Sequence, residues 1–238
     1  MDEAATSEAG LDEGIGNEKK SAVEGPQSTE PRWPALLAFL AFGGLYAALP
    51  SVLLVAGPRW LLLLVVSVLL VPAIISHLRG NHAFSQVLGY ILNSVITFTM
   101  IWSLALLIIA LPQRKITPQQ LLLAAAMLWV SKILVFASWY WRLDAGGPHQ
   151  RDLIPGHNDG AFLFPQMTMT PSAKIAAGEQ NWSPNFIDYL FLAFNTSTAF
   201  SPTDAMVLSR WAKILMMIQA MISLLVIALL AARAVSII

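Results

Sequence analysis

Residues Phe194–Asp204 read FNTSTAFSPTD and lie between two strongly apolar stretches. Asn195, Thr196, Ser197, Thr198, Ser201, Thr203 and Asp204 supply an amide, five hydroxyls and a carboxylate in this short space. Oxygens of these types replace water around a permeating cation. They also satisfy backbone groups where a chain bends inside a membrane, away from water. A second set of polar groups sits alone in apolar runs: Asn93 and Thr97, with Gln86 on the same helical face, then Lys132, then Gln219 and Ser223 as an i, i+4 pair. Polar side chains in lipid cost free energy unless they face other helices, so the Gln86–Asn93–Thr97 face should point inward. The Gln86–Asn93–Thr97 stripe is either a seam of interhelical hydrogen bonds or one wall of a water-lined path. Lys132 is the sharper case, since a buried ammonium costs about 3 kcal/mol on insertion scales. Its stem either snorkels about 14 Å toward Trp139–Trp141, or takes a partner inside the protein. That partner would be a carbonyl, a hydroxyl, Asn93 or an acid from the segment before the last span.

A third group is His149, Asp152, His157 and Asp159, whose imidazoles and carboxylates are the ligand types of divalent metals. Their spacing fits no helical metal motif, and glycine and proline surround them, so solvated turn residues are the default reading and a metal site the alternative. An enzyme acting here would use His149, His157 and Asp159. No nucleophile elbow appears, the chain has no cysteine for thiol chemistry or Fe–S ligation, and no cofactor is expected. The reading is therefore of a protein that is not an enzyme.

The elements that must position these groups follow from composition. Of 238 residues, 56% are hydrophobic and 12% charged. Soluble domains carry about twice that charge, so the expected solvent is lipid. A net charge of zero argues against nucleic acid as a partner. Residues 1–31 form an acidic tail, expected to be disordered. A spanning helix needs roughly 20 apolar residues, and five segments qualify: Trp33 to about Ala56, with Pro50 as a kink or early stop; Trp60–Ser76; Gln86–Leu111; Thr117–Trp141; and Ser209–Val235. Residues 32–141 hold four spans, 142–185 form a long polar connector, and 186–238 hold a re-entrant segment and the last span. Small residues four apart, Gly43/Ala47 and Gly44/Ala48, allow a close helix approach. Trp33, Trp139, Trp141, Trp182 and Trp211 mark one membrane face and Trp60 the other, while Trp102 and Trp129 are read as packing. The apolar run Phe186–Phe194 is too short to cross. With the polar stretch after it, it reads as a short helix, a polar bend and a return into the final helix.

That layout resembles the pore hairpin of two-span potassium channels. Phe194, Thr196, Thr198 and Asp204 match their filter pattern without a gap, and the helix starting SRWAKILMM is similar to their inner helix. The resemblance implies a homo-oligomer with the hairpin on its axis, a monovalent cation as permeant and the connector outside. Ser201 and Thr203 replace the two filter glycines and Pro202 the tyrosine, so no carbonyl cage of the potassium type should form. Hydroxyls and the Asn195 amide would line any path. The stretches ISHLRGNH, WYWRLDAGGPH, GAFLFPQMT and DYLFLAFNTSTAFSPTD resemble an uncharacterised bacterial family of multi-span membrane proteins, which implies the bacterial inner membrane as location. The expected fold is an all-α integral membrane bundle of about five transmembrane helices plus a re-entrant pore-loop-like hairpin. The expected role is ion-channel-like or permeation-related, with a non-conducting membrane scaffold or sensor as the alternative.

Overall fold

The computed structural model describes residues 30–55, 57–113, 117–153, 160–180, 182–199 and 205–235. Helix dominates them. In chain order they form α1 (Trp33–Ala48), α2 (Leu61–Leu78), α3 (His82–Gln113), α4 (Pro118–Leu143), α5 (Pro148–Leu153), α6 (Pro165–Thr168), α7 (Pro171–Ala177), α8 (Phe186–Thr198) and α9 (Arg210–Val235). Two short strands, β1 (Phe162–Leu163) and β2 (Met206–Val207), pair antiparallel, with Phe162 opposite Val207.

Four helices, α2, α3, α4 and α9, are long and apolar enough to cross a membrane. The segment expected to run unbroken from Trp33 to Ala56 is shorter: α1 stops at Ala48 after 16 residues, and a 3-10 turn over Ser51–Leu53 follows. Pro50 explains the stop. It cannot donate to the helix ladder, and it drives the preceding Leu49 into extended geometry (ψ 150°).

The innermost helix is α4, with 61% of its membrane-length window buried against 22% for α2 and for α9. It packs on α1, α3, α8 and α9. Its start is marked by a capping box between Thr117 and Gln120, with Pro118 in the first turn. Outward, α2 exposes Leu64, Val68, Val71 and Ile75, and α9 exposes Ile214, Met217, Met221 and Leu224. Such continuous apolar stripes are what helices present to lipid. Trp102, expected to be packed, is exposed on α3 against Phe98. The helix α1 approaches α2 closely at Gly43, where a Cβ would lie 2.5 Å from Leu63 Cδ2.

The connector docks on one end of the bundle. Ala145, Gly146 and Gly147 are successive left-handed residues that turn the chain sharply off α4. Asp144 is buried beneath this turn and accepts from the Ala161 amide and, at 2.6 Å, from the Tyr189 hydroxyl. The Phe162 ring packs edge-on against Tyr140, Tyr189 and Trp211, which ties the small sheet to α4, α8 and α9. Glu30, placed in the acidic tail from composition, is instead buried. It pairs with Arg151 at 2.9 Å and accepts from the Trp141 indole. Burial raises its carboxyl above the ordinary range, against the pull of Arg151. The tail up to Thr29 lies outside the described residues.

Candidate functional site

The polar stretch begins inside a helix. Asn185 caps α8 by accepting from the Ile187 amide, and Asp188 returns the bond to the Asn185 amide at 2.8 Å. Phe186, Tyr189, Leu192, Ala193, Thr196 and Ser197 are buried, while Ile187, Phe191, Phe194 and Thr198 face outward. This is the 3.6-residue period of an amphipathic helix. The apolar run ends at Phe194, and the expected polar bend would start there, yet the helix continues four residues further. Within those residues the polar side chains are satisfied by back-bonding to carbonyls one turn earlier. Asn195 Nδ2 donates to Phe191 O (3.0 Å), Thr196 Oγ1 to Leu192 O (2.8 Å) and Thr198 Oγ1 to Phe194 O (3.0 Å). Asn195, Thr196 and Thr198 thus serve their own helix. Ser201, Thr203 and Asp204 lie outside the described residues.

The helix α8 runs antiparallel to α4. Phe186 near its start packs on Trp141, and Phe194 near its end on Trp129, with ring centroids 5.8 and 6.3 Å apart. Its 13 residues span about 20 Å, less than the roughly 30 Å of a hydrocarbon core. The chain then resumes at Ala205 and enters β2, beside β1 and Trp211, at the end of the bundle from which α8 set out.

Behind α8 a polar network closes inside the protein. Gln219 Nε2 donates to Ala193 O (2.6 Å) and Ser197 Oγ (2.7 Å), and Gln219 Oε1 accepts from the Tyr140 hydroxyl. One turn along α9, Ser223 Oγ accepts from Lys132 Nζ, whose ammonium also lies 6.0 Å from the Trp129 ring centroid. Lys132 is 1% exposed, so the hydroxyl partner replaces the snorkelling alternative. On α3, Thr97 donates to Asn93 O (2.6 Å) and accepts from the Trp139 indole (2.8 Å), while Gln86 Nε2 donates to Gly146 O (3.2 Å). The Gln86–Asn93–Thr97 stripe is therefore a seam between α3 and the α4 end. The Asn93 amide, wholly buried, meets no hydrogen-bond partner, and it does not reach Lys132.

In the connector, His149 stacks on His82 with centroids 3.8 Å apart, and His82 meets His77 edge-on. Asp152 pairs with Arg32 at 2.9 Å. His157 and Asp159 lie outside the described residues, and among the described residues no three ligand-type side chains gather to hold a metal ion.

Sequence reasoning passed over Arg142. Its guanidinium turns inward over Gly89, beside the rings of Tyr90 and Trp141 (5.7 and 5.4 Å to the centroids). A signal was present: Gly89 lies on the same α3 face as Gln86 and Asn93, and its missing side chain leaves room there for another group. Searched against known proteins, the chain matches no protein-family model, no curated protein and no solved structure.

Proposed function

We propose that the chain is a multi-pass membrane protein that works without conducting ions, as a scaffold or sensor. In this reading α1 and its 3-10 extension make a fifth crossing, and α8 with the return to β2 forms a re-entrant hairpin that braces the bundle. The observation that carries the reading is the saturation of Gln219: both amide hydrogens and the amide oxygen are engaged within one chain, by Ala193, Ser197 and Tyr140. Groups committed to each other in this way are not free to exchange a permeating ion's hydration shell. Reconstitution tests it. Vesicles carrying the protein should pass monovalent cations no faster than empty vesicles across a range of voltages, whereas Gln219→Leu should lower the unfolding temperature. A protein-dependent cation current abolished by Thr198→Ala or Asp204→Asn defeats the reading.

That outcome would favour the permeation reading, which also has a specific observation behind it. The face of α8 bearing Phe191, Phe194 and Thr198 is exposed, and the chain returns to the end it left. In a homo-oligomer this face would adjoin the symmetry axis, with Ser201, Thr203 and Asp204 following it. A ring-shaped oligomer in native lipid supports this alternative; a monomer removes it. Placement in a bacterial inner membrane belongs to both readings, and rests on the family resemblance.

A further inference from the structure

A cavity of about 150 Å³ opens at the connector end of the bundle, between α1, α2, α3 and the end of α4. It is lined by two chemically different regions. Arg32, His77, His82, Arg142 and His149 surround its outer part; these come from the chain before α1, the last turn of α2, the first turn of α3, the last turn of α4, and α5. About two turns further into the bundle the lining is wholly apolar: Phe39, Leu70, Ile74 and Leu92.

The charge in the outer part is unbalanced. Arg32 donates to Asp152 and is neutralised by it. Arg142 is 8% exposed, its Nε meets no hydrogen-bond partner, and it forms no ion pair among the described residues. Flanking aromatic faces attract its charge without accepting its hydrogen bonds. A buried cation left this way is costly, so its surroundings call for an anion. The imidazoles at the rim are linked to one another and to Arg32. His77 Nδ1 lies 3.0 Å from Arg32 Nη1, which can only donate, so that nitrogen accepts and His77 carries its proton on Nε2. His82 Nδ1, 3.2 Å from His77 Nδ1, must then be the donor, so His82 Nε2 donates to an anion once that ring is protonated.

We propose that this cavity binds an anionic phospholipid. Its phosphate is received by Arg142 with His82 and His149 at the rim, and an acyl chain lies along Phe39, Leu70 and Leu92. The occupant is argued from charge complementarity at one end, apolar lining at the other, and placement where four bundle elements end together. A free inorganic anion would use only the outer half. Arg142 is suited to the role because its planar fork meets phosphate oxygens two at a time. This inference is independent of whether the hairpin conducts.

The test is native mass spectrometry of the detergent-purified full chain, titrated with phosphatidylglycerol, with phosphatidylcholine, or with inorganic phosphate as competitor. Phosphatidylglycerol should bind in preference to phosphatidylcholine, and phosphate should not displace it. Arg142→Gln should weaken phosphatidylglycerol binding about tenfold, the value of one charge-assisted hydrogen bond, and Arg142→Lys should recover part of the loss. Because Arg142 is buried, His149→Glu at the half-exposed rim gives a second arm that leaves the bundle core untouched, and it should weaken the same binding. Equal binding of the two lipids, unaltered by either variant, overturns the proposal. So does full displacement by phosphate, which would make the site one for a free anion.

Discussion

The guanidinium of Arg142 occupies the volume that a side chain on Gly89 would fill: a Cβ at that position would lie 1.9 Å from Nη1. The glycine on α3 and the arginine ending α4 are one packing unit. Gly89→Ala should therefore force the arginine aside and destabilise the protein by about 1–3 kcal/mol, the usual range for overpacking. Thermal unfolding in detergent measures it. In an Arg142→Ala background the same alanine should cost much less, because the space has been vacated. Equal costs in the two backgrounds would show that the two residues do not share that space.

Lys132 and Ser223 give an asymmetric expectation. Ser223→Ala removes the acceptor of a fully buried ammonium and should cost about 1–3 kcal/mol. Lys132→Met, close in volume and apolar, removes both the charge and its need for a partner, and should be neutral or stabilising, as replacements of buried charge often are. If Lys132→Met is instead stable but inactive in whatever assay reports function, the lysine is retained for its chemistry. Unfolding midpoints of the two variants, measured side by side, decide the stability question.

The sequence made the long apolar helices legible and the interior only partly so. Ends of α2, α3, α4 and α9 fall within a few residues of expectation, because apolar length and capping residues such as Thr117 and Pro118 act locally. The inward stripe on α3 was legible for the same reason, its polar residues recurring at helical spacing. Other features depend on partners distant in the chain. Nothing near Arg142 states that Gly89 will vacate a space for it, and nothing near Glu30 states that Arg151 will receive it 121 residues later. The four extra residues of α8 were missed for a different reason. Asparagine and threonine suggest a bend by composition, and only the back-bonding geometry shows them continuing the helix.

The connector end should respond to pH through His149. Burial first, then the nearby charges of His82 and Arg32, hold its proton affinity below the ordinary value, with Asp152 opposing them. The folded protein therefore takes up this proton less readily than the unfolded chain. The stability contribution is full above about pH 6.5, the ordinary histidine value, and is lost as pH falls from there through the depressed folded value. Arg142 also lines this cavity and adds to its positive field, while His77, the neutral acceptor of the Arg32 bond, lines it without charge. His149→Gln should flatten that part of the profile of unfolding midpoint against pH. With phosphatidylglycerol present the trend should reverse, since a bound phosphate favours the charged ring.

The Glu30–Arg151 pair should prove essential to the docked connector. Glu30→Ala strands a buried guanidinium and should cost about 3–5 kcal/mol, whereas Glu30→Asp should cost less. Limited proteolysis across residues 142–185 reads the effect directly, because a released connector becomes a substrate.

Burial of Glu30 against Trp141 and Arg151 also has a practical use in finding which way the bundle faces. The stretch leading into the first helix is fastened to the same pole of the bundle as the docked loop. A fluorophore or protease site engineered just upstream of Glu30 therefore reports the compartment of that whole pole. For the membrane arrangement proposed above, a single accessibility reading would orient all of the long helices at once.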